Sequence, residues 1–300
     1  MNANSHPRLD QVLRIAAFDD AGQGGNPAGV WIGETLPPAA EMQALAHALG
    51  FSETAFATRE GEGWRVRYFS PESEVPFCGH ATIALGAALA RRFGDGRFAL
   101  QLNAAAITVE GRSESGDACP GEPGTVGGRM FAALQSPPTH SRPAPHALVD
   151  QALALFGYTR ADLDPRIPPA LAHGGADHLV LALASRARLA AMAYALQAGR
   201  AFMLEHGLVT VVLAWAASAQ LFHTRNPFAS GGVYEDAATG AGTAALAGYL
   251  RDLGWPHGGA IDVVQGEDMG MRSRLRAEIG PVAGSSIRVS GTARWMSDGE

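Results

Sequence analysis

The chain has 300 residues, of which 47% are apolar and 17% charged, with a formal net charge of −6. This length suits one large domain or two of about 150 residues, and the composition excludes a chain that is disordered for most of its length. No basic patch or high pI of the nucleic-acid-binding kind is present.

Cys78 and Cys119 are the two cysteines, too few for a disulfide framework, and no CxxC spacing offers a zinc site. The opening MNANSHPRLD is polar and lacks the apolar core of a signal peptide. The most apolar stretch, LVTVVLAWAASA at 208–219, is too short to span a bilayer and reads as a buried strand. A soluble cytoplasmic protein with no nucleic-acid or membrane partner is expected.

In chain order, the first strand is expected at 12–18, VLRIAAF. The glycines of the next segment, with Asn26 and Pro27, predict a loop before AGVWI resumes a strand. A helix is expected from Pro37 and Pro38, with Met42, Leu45, Ala46 and Leu49 on one face and Gly50 after its end. FSETAFAT at 51–58 carries aromatic and β-branched residues, and WRVRYFS at 64–70 alternates as a strand does.

The turn-rich PESEVPFCGH leads into ATIALGAALARRFG, a helix of small residues. A helix apolar on all sides is expected to be buried, and Gly86 would let surrounding backbone approach closely. Two strands are expected in 98–111. Residues 112–128 and 136–146, rich in Ser, Gly, Pro and His, are expected to link two halves, with the strand-like RMFAALQ between them.

The second half is expected to run helix HALVDQALALFG, strand DHLVLALA, a helix within SRARLAAMAYALQAGRAFMLEHG, and strands LVTVVLAWA and AQLFHTRNPF. YEDAATGAGTAALAGYLRDLG then repeats a loop followed by a small-residue helix, before closing strands in IDVVQGEDMGMRSRLRAEIG and SIRVSGTARWMS. Many short strands with one buried helix in each half do not suggest alternating βαβ units.

CGHATIALGAAL and TGAGTAALAGYL superpose at an offset of about 161 residues, so that Gly79 meets Gly240, Thr82 meets Thr243 and Leu85 meets Leu246. Each copy sits late in its half, which suggests a duplication. Two unrelated alanine-rich helices would also produce such a match.

Both helix starts carry glycine and small residues. Backbone N–H groups and the helix dipole make such ends suitable for a carboxylate. Near them lie His80, at the first helix start, and Asp236, just before the second. Glu53 sits between Phe51 and Phe56, where partial desolvation would raise its pKa toward that of a working base. An exposed strand residue or a helix-flanking charge fits its spacing equally well.

Cys78, at a helix start, could be a nucleophile or a racemase base. The internal match puts Thr239 at the equivalent place, so Cys78 reads more simply as a small buried residue. His173 and His178 do not share a helix face, and neither HExxH nor a Rossmann glycine run in context appears. No metal and no organic cofactor is expected.

Together these motifs resemble the PhzF-like (phenazine biosynthesis) family of the diaminopimelate epimerase-like fold. The matching segments are GGNPAGV at 24–30, FSETAF at 51–56, YFSPESEVPFCGHATIALGAAL at 68–89, EDAATGAGTAALAGYL at 235–250 and QGEDMGMRSRL at 265–275. The resemblance implies an α+β fold of two similar halves. Each would be a curled, mostly antiparallel, barrel-like sheet around a central helix, with the active site in the cleft between them. The halves would be 1–125 and 126–284, the C-terminal strand 285–300 joining the first.

The resemblance also makes Glu53 the acid/base, His80 the histidine that binds or polarises substrate, and Asp236 the aspartate of a D-P-x-T-G-S run. Gly79, Gly240, Ala241 and Gly242 fall at the anion-binding helix starts. In two places the chain departs from the family: Ala237 replaces the proline and Ala241 the serine of that run. Loss of a hydroxyl commonly costs about 1–3 kcal/mol when its partner is left unsatisfied.

The expected activity is a cofactor-independent isomerase that shifts a proton on a small carboxylate-bearing substrate, with a homodimer as a plausible state. The alternatives are a racemase or epimerase of a small acid or amino acid, and a ligand-binding member with reduced catalysis.

Overall fold

The computed structural model describes residues 8–103, 105–113 and 129–297. Cys119, the opening MNANSHP and most of the 112–128 segment lie outside the described residues. The chain forms two compact units, Met1–Gln135 with Ser290–Glu300, and Ser136–Val289. Among the described residues, no helix is long and apolar enough to cross a membrane.

The first unit contains β1 (Leu13–Asp19), β2 (Asn26–Gly33), α1 (Ala39–Leu49), β3 (Glu53–Glu60), β4 (Gly63–Phe69), β5 (Glu74–Val75), α2 (Gly79–Phe93), β6 (Gly96–Gln101), β7 (Ala106–Ser113) and the start of β8 (Met130–Pro138). The second contains β9 (His140–Pro143), α3 (His146–Phe156), β10 (Ala170–His173), β11 (Asp177–Ala182), α4 (Arg186–Ala190), α5 (Leu196–Glu205), β12 (Thr210–Ala216), β13 (Leu221–Phe228), β14 (Val233–Asp236), α6 (Gly240–Leu253), β15 (Ala260–Gln265) and β16 (Ser273–Glu278). The last strand, β17 (Ser286–Trp295), returns the chain to the first unit.

In the first unit β1–β2 is antiparallel, β2–β3 parallel, β3–β4 antiparallel, β4–β6 parallel and β6–β7 antiparallel. β8 pairs with β7, and β17 pairs with both β1 and β8, so the neighbours form a closed circuit. Helix α2 packs against β1, β2, β3, β6 and β7. Every residue from Gly79 to Ala90 is buried, as an alanine-rich surface without a polar stripe requires. Close packing is possible because a side chain on Gly111 of β7 would meet the Gly86 carbonyl oxygen at 2.2 Å. Helix α1 instead buries only the Met42, Leu45 and Ala46 face, which packs with Val12, Trp31, Phe56 and Phe69.

The second unit repeats this grammar. β10–β11 is antiparallel, β11–β12 parallel, β12–β13 antiparallel, β13–β15 parallel and β15–β16 antiparallel. A short strand pairs antiparallel with β4 in the first unit (β5) and with β13 in the second (β14), each just before the small-residue helix. Helix α6 packs against β9, β10, β11, β12, β15 and β16. Helices α3, α4 and α5 contribute to a separate apolar cluster that includes Leu148, Phe156, Leu189, Met203 and Leu213.

Three sequence expectations need correction. Asn26 and Pro27 belong to β2 and not to the preceding loop: Pro27 stands opposite Ala16, near the strand start where a missing N–H is tolerated. Segment 136–146 does begin at the boundary between the two units, Gln135–Ser136, but it is not loop. It holds the end of β8, all of β9 and the start of α3, and its Pro145 is the residue just before that helix. The helical signal across 185–207 divides into α4 and α5.

Candidate functional site

In the first unit, Glu53 opens β3, in register with Ala28 of β2, and is 7% exposed. The sheet therefore fixes its backbone, and the alternative of an exposed strand residue does not hold. Cys78 is the residue before α2 and His80 lies in its first turn, both buried. The His80 Nε2 is 3.5 Å from the Glu53 Oε2 and 3.3 Å from the Ser52 Oγ. The Cys78 Sγ lies 3.3 Å from Nδ1 and 4.0 Å from Nε2 of the same ring.

Burial lowers the His80 imidazole to a pKa of about 4. At neutral pH a neutral ring therefore faces the carboxyl group. A separation of 3.5 Å is long for a hydrogen bond, but such pairs commonly tighten when substrate binds. The arrangement offers a desolvated carboxyl group, a neutral imidazole and a thiol, each able to give or take a proton.

The first intrahelical bond of α2 runs from the Thr82 N–H to the Cys78 carbonyl, 3.1 Å. The N–H groups of Gly79, His80 and Ala81 thus point out of the helix end, beside the positive pole of its dipole. The Thr82 hydroxyl also binds the Cys78 carbonyl at 2.6 Å and meets the Tyr68 hydroxyl at 2.7 Å, which anchors this first turn.

In the second unit, Asp236 ends β14 and is buried. Its Oδ2 accepts the Thr239 hydroxyl at 2.6 Å. The fully buried Gln265 holds the same turn: its amide nitrogen donates to the Asp236 carbonyl at 2.7 Å and to the Thr239 hydroxyl at 2.9 Å, while its oxygen accepts the Thr239 N–H at 3.1 Å. Helix α6 then starts at Gly240, followed by the half-buried Ala241 and the buried Gly242. A side chain on Gly242 would lie 2.8 Å from the amide nitrogen of Asn226, which stands opposite Asp236 in register.

Within the first unit, then, Glu53 and His80 come together at the start carrying Gly79. Within the second, Asp236 stands beside the start carrying Gly240, Ala241 and Gly242. Sequence reasoning set Cys78 aside as a small buried residue; it is buried, but it also touches His80. Ser52 and Gln265 were overlooked. Both lay inside quoted motifs, FSETAF and QGEDMG, yet a strand-flanking serine and a lone glutamine carry no spacing signal. The histidines of AHGGADH do not form a cluster: His178 is buried against the Thr210 hydroxyl at 2.7 Å, whereas His173 contacts Asp177.

The family described as phenazine biosynthesis-like protein matches residues 15–299. An uncharacterized isomerase of Deinococcus radiodurans is 45% identical over 84 residues, 28% of this chain and 27% of that relative, so the match covers about a quarter of the relative's length. The trans-2,3-dihydro-3-hydroxyanthranilate isomerase of Pseudomonas aeruginosa is 27% identical over 298 residues, 97% of this chain and 99% of that protein. Among solved structures, a PhzF-family phenazine biosynthesis protein of Bacillus anthracis superposes with a TM-score of 0.81 at 20% identity, covering 95% of this chain and 96% of that one. At that identity the likeness speaks for the fold.

Proposed function

This chain belongs to the phenazine biosynthesis-like family, and we propose that it is an isomerase that shifts a proton on a small carboxylate-bearing substrate without a cofactor. The observation that carries this reading is the burial of Glu53 beside His80 at the start of α2. Glu53 takes a proton from an activated carbon and returns it to another position. His80, neutral at working pH, orients the substrate or shares the proton. Asp236 is the third catalytic residue and, like His80, orients substrate and buffers charge, while the outward N–H groups at the helix starts make Gly79, Gly240, Ala241 and Gly242 the substrate-binding residues. On this reading the two units are copies of one barrel-like fold of the diaminopimelate epimerase type. A cytoplasmic homodimer is the expected working form.

Ala241 bears on the substrate. Its methyl group offers no hydrogen bond where the family run has serine, so trans-2,3-dihydro-3-hydroxyanthranilate is one candidate among several small acids. The test is deuterium uptake from D2O by a panel of small carboxylic acids that includes this compound, read by mass spectrometry. Uptake that disappears with Glu53→Gln supports the reading. Uptake that survives the substitution removes Glu53 as the base. No uptake by any acid, with tight binding unaffected by Glu53→Gln, favours a ligand-binding protein.

A further inference from the structure

We propose that Glu53, Cys78 and His80 form a binding site for a thiophilic divalent metal ion of the zinc class. One ligand atom from each lies within 4.8 Å of the other two, and all three side chains are buried. The set is chemically mixed in the way such ions favour: one sulfur, one imidazole nitrogen and one carboxylate oxygen. Among the described residues, this is the one group of at least three His, Cys, Asp or Glu side chains placed closely enough to share an ion.

The geometry is close to what a tetrahedral ion needs. Zinc bonds of about 2.3 Å to sulfur and about 2.0–2.2 Å to nitrogen and oxygen put neighbouring ligand atoms about 3.4–3.6 Å apart. Here the His80 Nε2 is 3.5 Å from the Glu53 Oε2 and 4.0 Å from the Cys78 Sγ. The third side, from the Glu53 carboxylate to the Cys78 Sγ, is at most 4.8 Å, so an ion would close the set by drawing the thiol inward. The backbone beneath is fixed, since Glu53 opens a paired strand and Cys78 and His80 sit at the first turn of a buried helix.

Binding releases the thiol proton to solvent. The metal then meets one thiolate, one carboxylate and one neutral imidazole, which together balance its two charges. Three protein ligands leave a fourth position for water or an anion, the pattern of an open site. The ion would engage the carboxylate assigned above as the base, so it acts as an inhibitor of proton transfer rather than as a helper. That consequence alone rests on the isomerase reading; metal binding does not.

The experiment is titration of the full chain with Co2+, followed by thiolate-to-cobalt charge-transfer absorption and by native mass spectrometry. About one ion per chain is expected, with a charge-transfer band that Cys119→Ser retains and Cys78→Ser abolishes. Glu53→Gln should weaken binding by more than the roughly 10–100-fold that loss of an outer-shell partner costs. In the natural protein, bound Co2+ or Zn2+ should also protect Cys78 from alkylation, which tests the site even if the Cys78 variant does not fold. Absence of the band, its loss in Cys119→Ser only, affinity unchanged in Glu53→Gln, or Cys78 alkylated equally fast with metal present would each overturn the proposal. Zinc that protects Cys78 without slowing proton exchange would leave the metal site standing and count against the isomerase reading.

Discussion

Helices α2 and α6 both start at a glycine, carry threonine at their fourth position and follow a short strand. Their first turns nevertheless gather different chemistry. At α2 the residue before the helix is Cys78 and the second helical residue is His80; at α6 these places belong to Thr239 and Ala241. The difference extends to the sheets. The first pair of the parallel β2–β3 ladder is Ala28 with Glu53, whereas the first pair of β11–β12 is His178 with Thr210, hydrogen-bonded to each other. One copy of the topology thus holds groups able to exchange protons. In the other, neutral groups, chiefly Gln265 and Thr239, hold a single aspartate in place. The same order of strand pairings can carry different chemistry, because the strand and helix pattern does not depend on which polar groups stand at the helix start.

The sharpest way to break this comparison is to remove one carboxylate from each unit. Glu53→Gln should lower the rate of deuterium uptake by about 10²–10⁴-fold, the usual worth of a general base. Asp236→Asn retains an acceptor for the Thr239 hydroxyl and should change the rate by no more than about tenfold, the worth of one hydrogen bond. Equal losses in both variants would mean that the specialisation is wrong.

Acid should weaken both units, each through one buried histidine. Burial holds His80 and His178 at pKa values of about 4, against 6.5 for the exposed ring, with His178 also raised slightly by Asp177 and lowered by His173. The unfolded chain binds more protons than the folded one between these values, so stability is full above about pH 6.5 and falls as pH drops toward 4. Each ring accounts for up to about 3 kcal/mol of this loss. Urea midpoints measured from pH 7 to pH 4 should show it, and His178→Asn should flatten the dependence by about half.

A smaller effect separates the packing of the two helices. An alanine at Gly111 would place its side chain 2.2 Å from the Gly86 carbonyl oxygen, a backbone atom of the buried α2. One at Gly248 of α6 would meet the Thr139 side chain at 2.6 Å. Gly111→Ala should cost about 1–3 kcal/mol in urea unfolding, and Gly248→Ala less, since inside α6 the alanine also recovers the about 1 kcal/mol by which it exceeds glycine as a helix former.

The parts of this molecule that could be read from sequence are those with a period or a local signal. Met42, Leu45 and Ala46 mark the buried face of α1, and Gly50 ends it in the left-handed conformation. The match between CGHAT and TGAGT placed the first residues of α2 and α6 at equivalent positions. Glu53 and His80 could be named through motif resemblance, but their 3.5 Å contact joins residues far apart in the chain, and no local pattern records it. The same holds for Gln265, which reaches back to Asp236 and Thr239 from a different strand. Prolines misled where sheet context overrode them, as at Pro27 and along 136–146.

The last and smallest prediction compares two buried amides of the second unit. Gln265 bonds Asp236 and Thr239, whereas neither amide atom of the fully buried Asn226 has a hydrogen-bond partner among the described residues. Truncating a satisfied amide strands its partners, so Gln265→Leu should cost about 1–3 kcal/mol. Asn226→Leu removes a group that forfeits its hydration on folding and gains no bond in return, and the replacement keeps the branched shape although it is bulkier. It should leave stability within about 1 kcal/mol of the natural protein, or raise it. Urea midpoints of the two variants, measured side by side at pH 7, decide the matter. If both lose stability equally, then the Asn226 amide is held as firmly as that of Gln265. If only Gln265→Leu does, the polar network at the start of α6 ends at Gln265 and stability is not what Asn226 contributes to the fold.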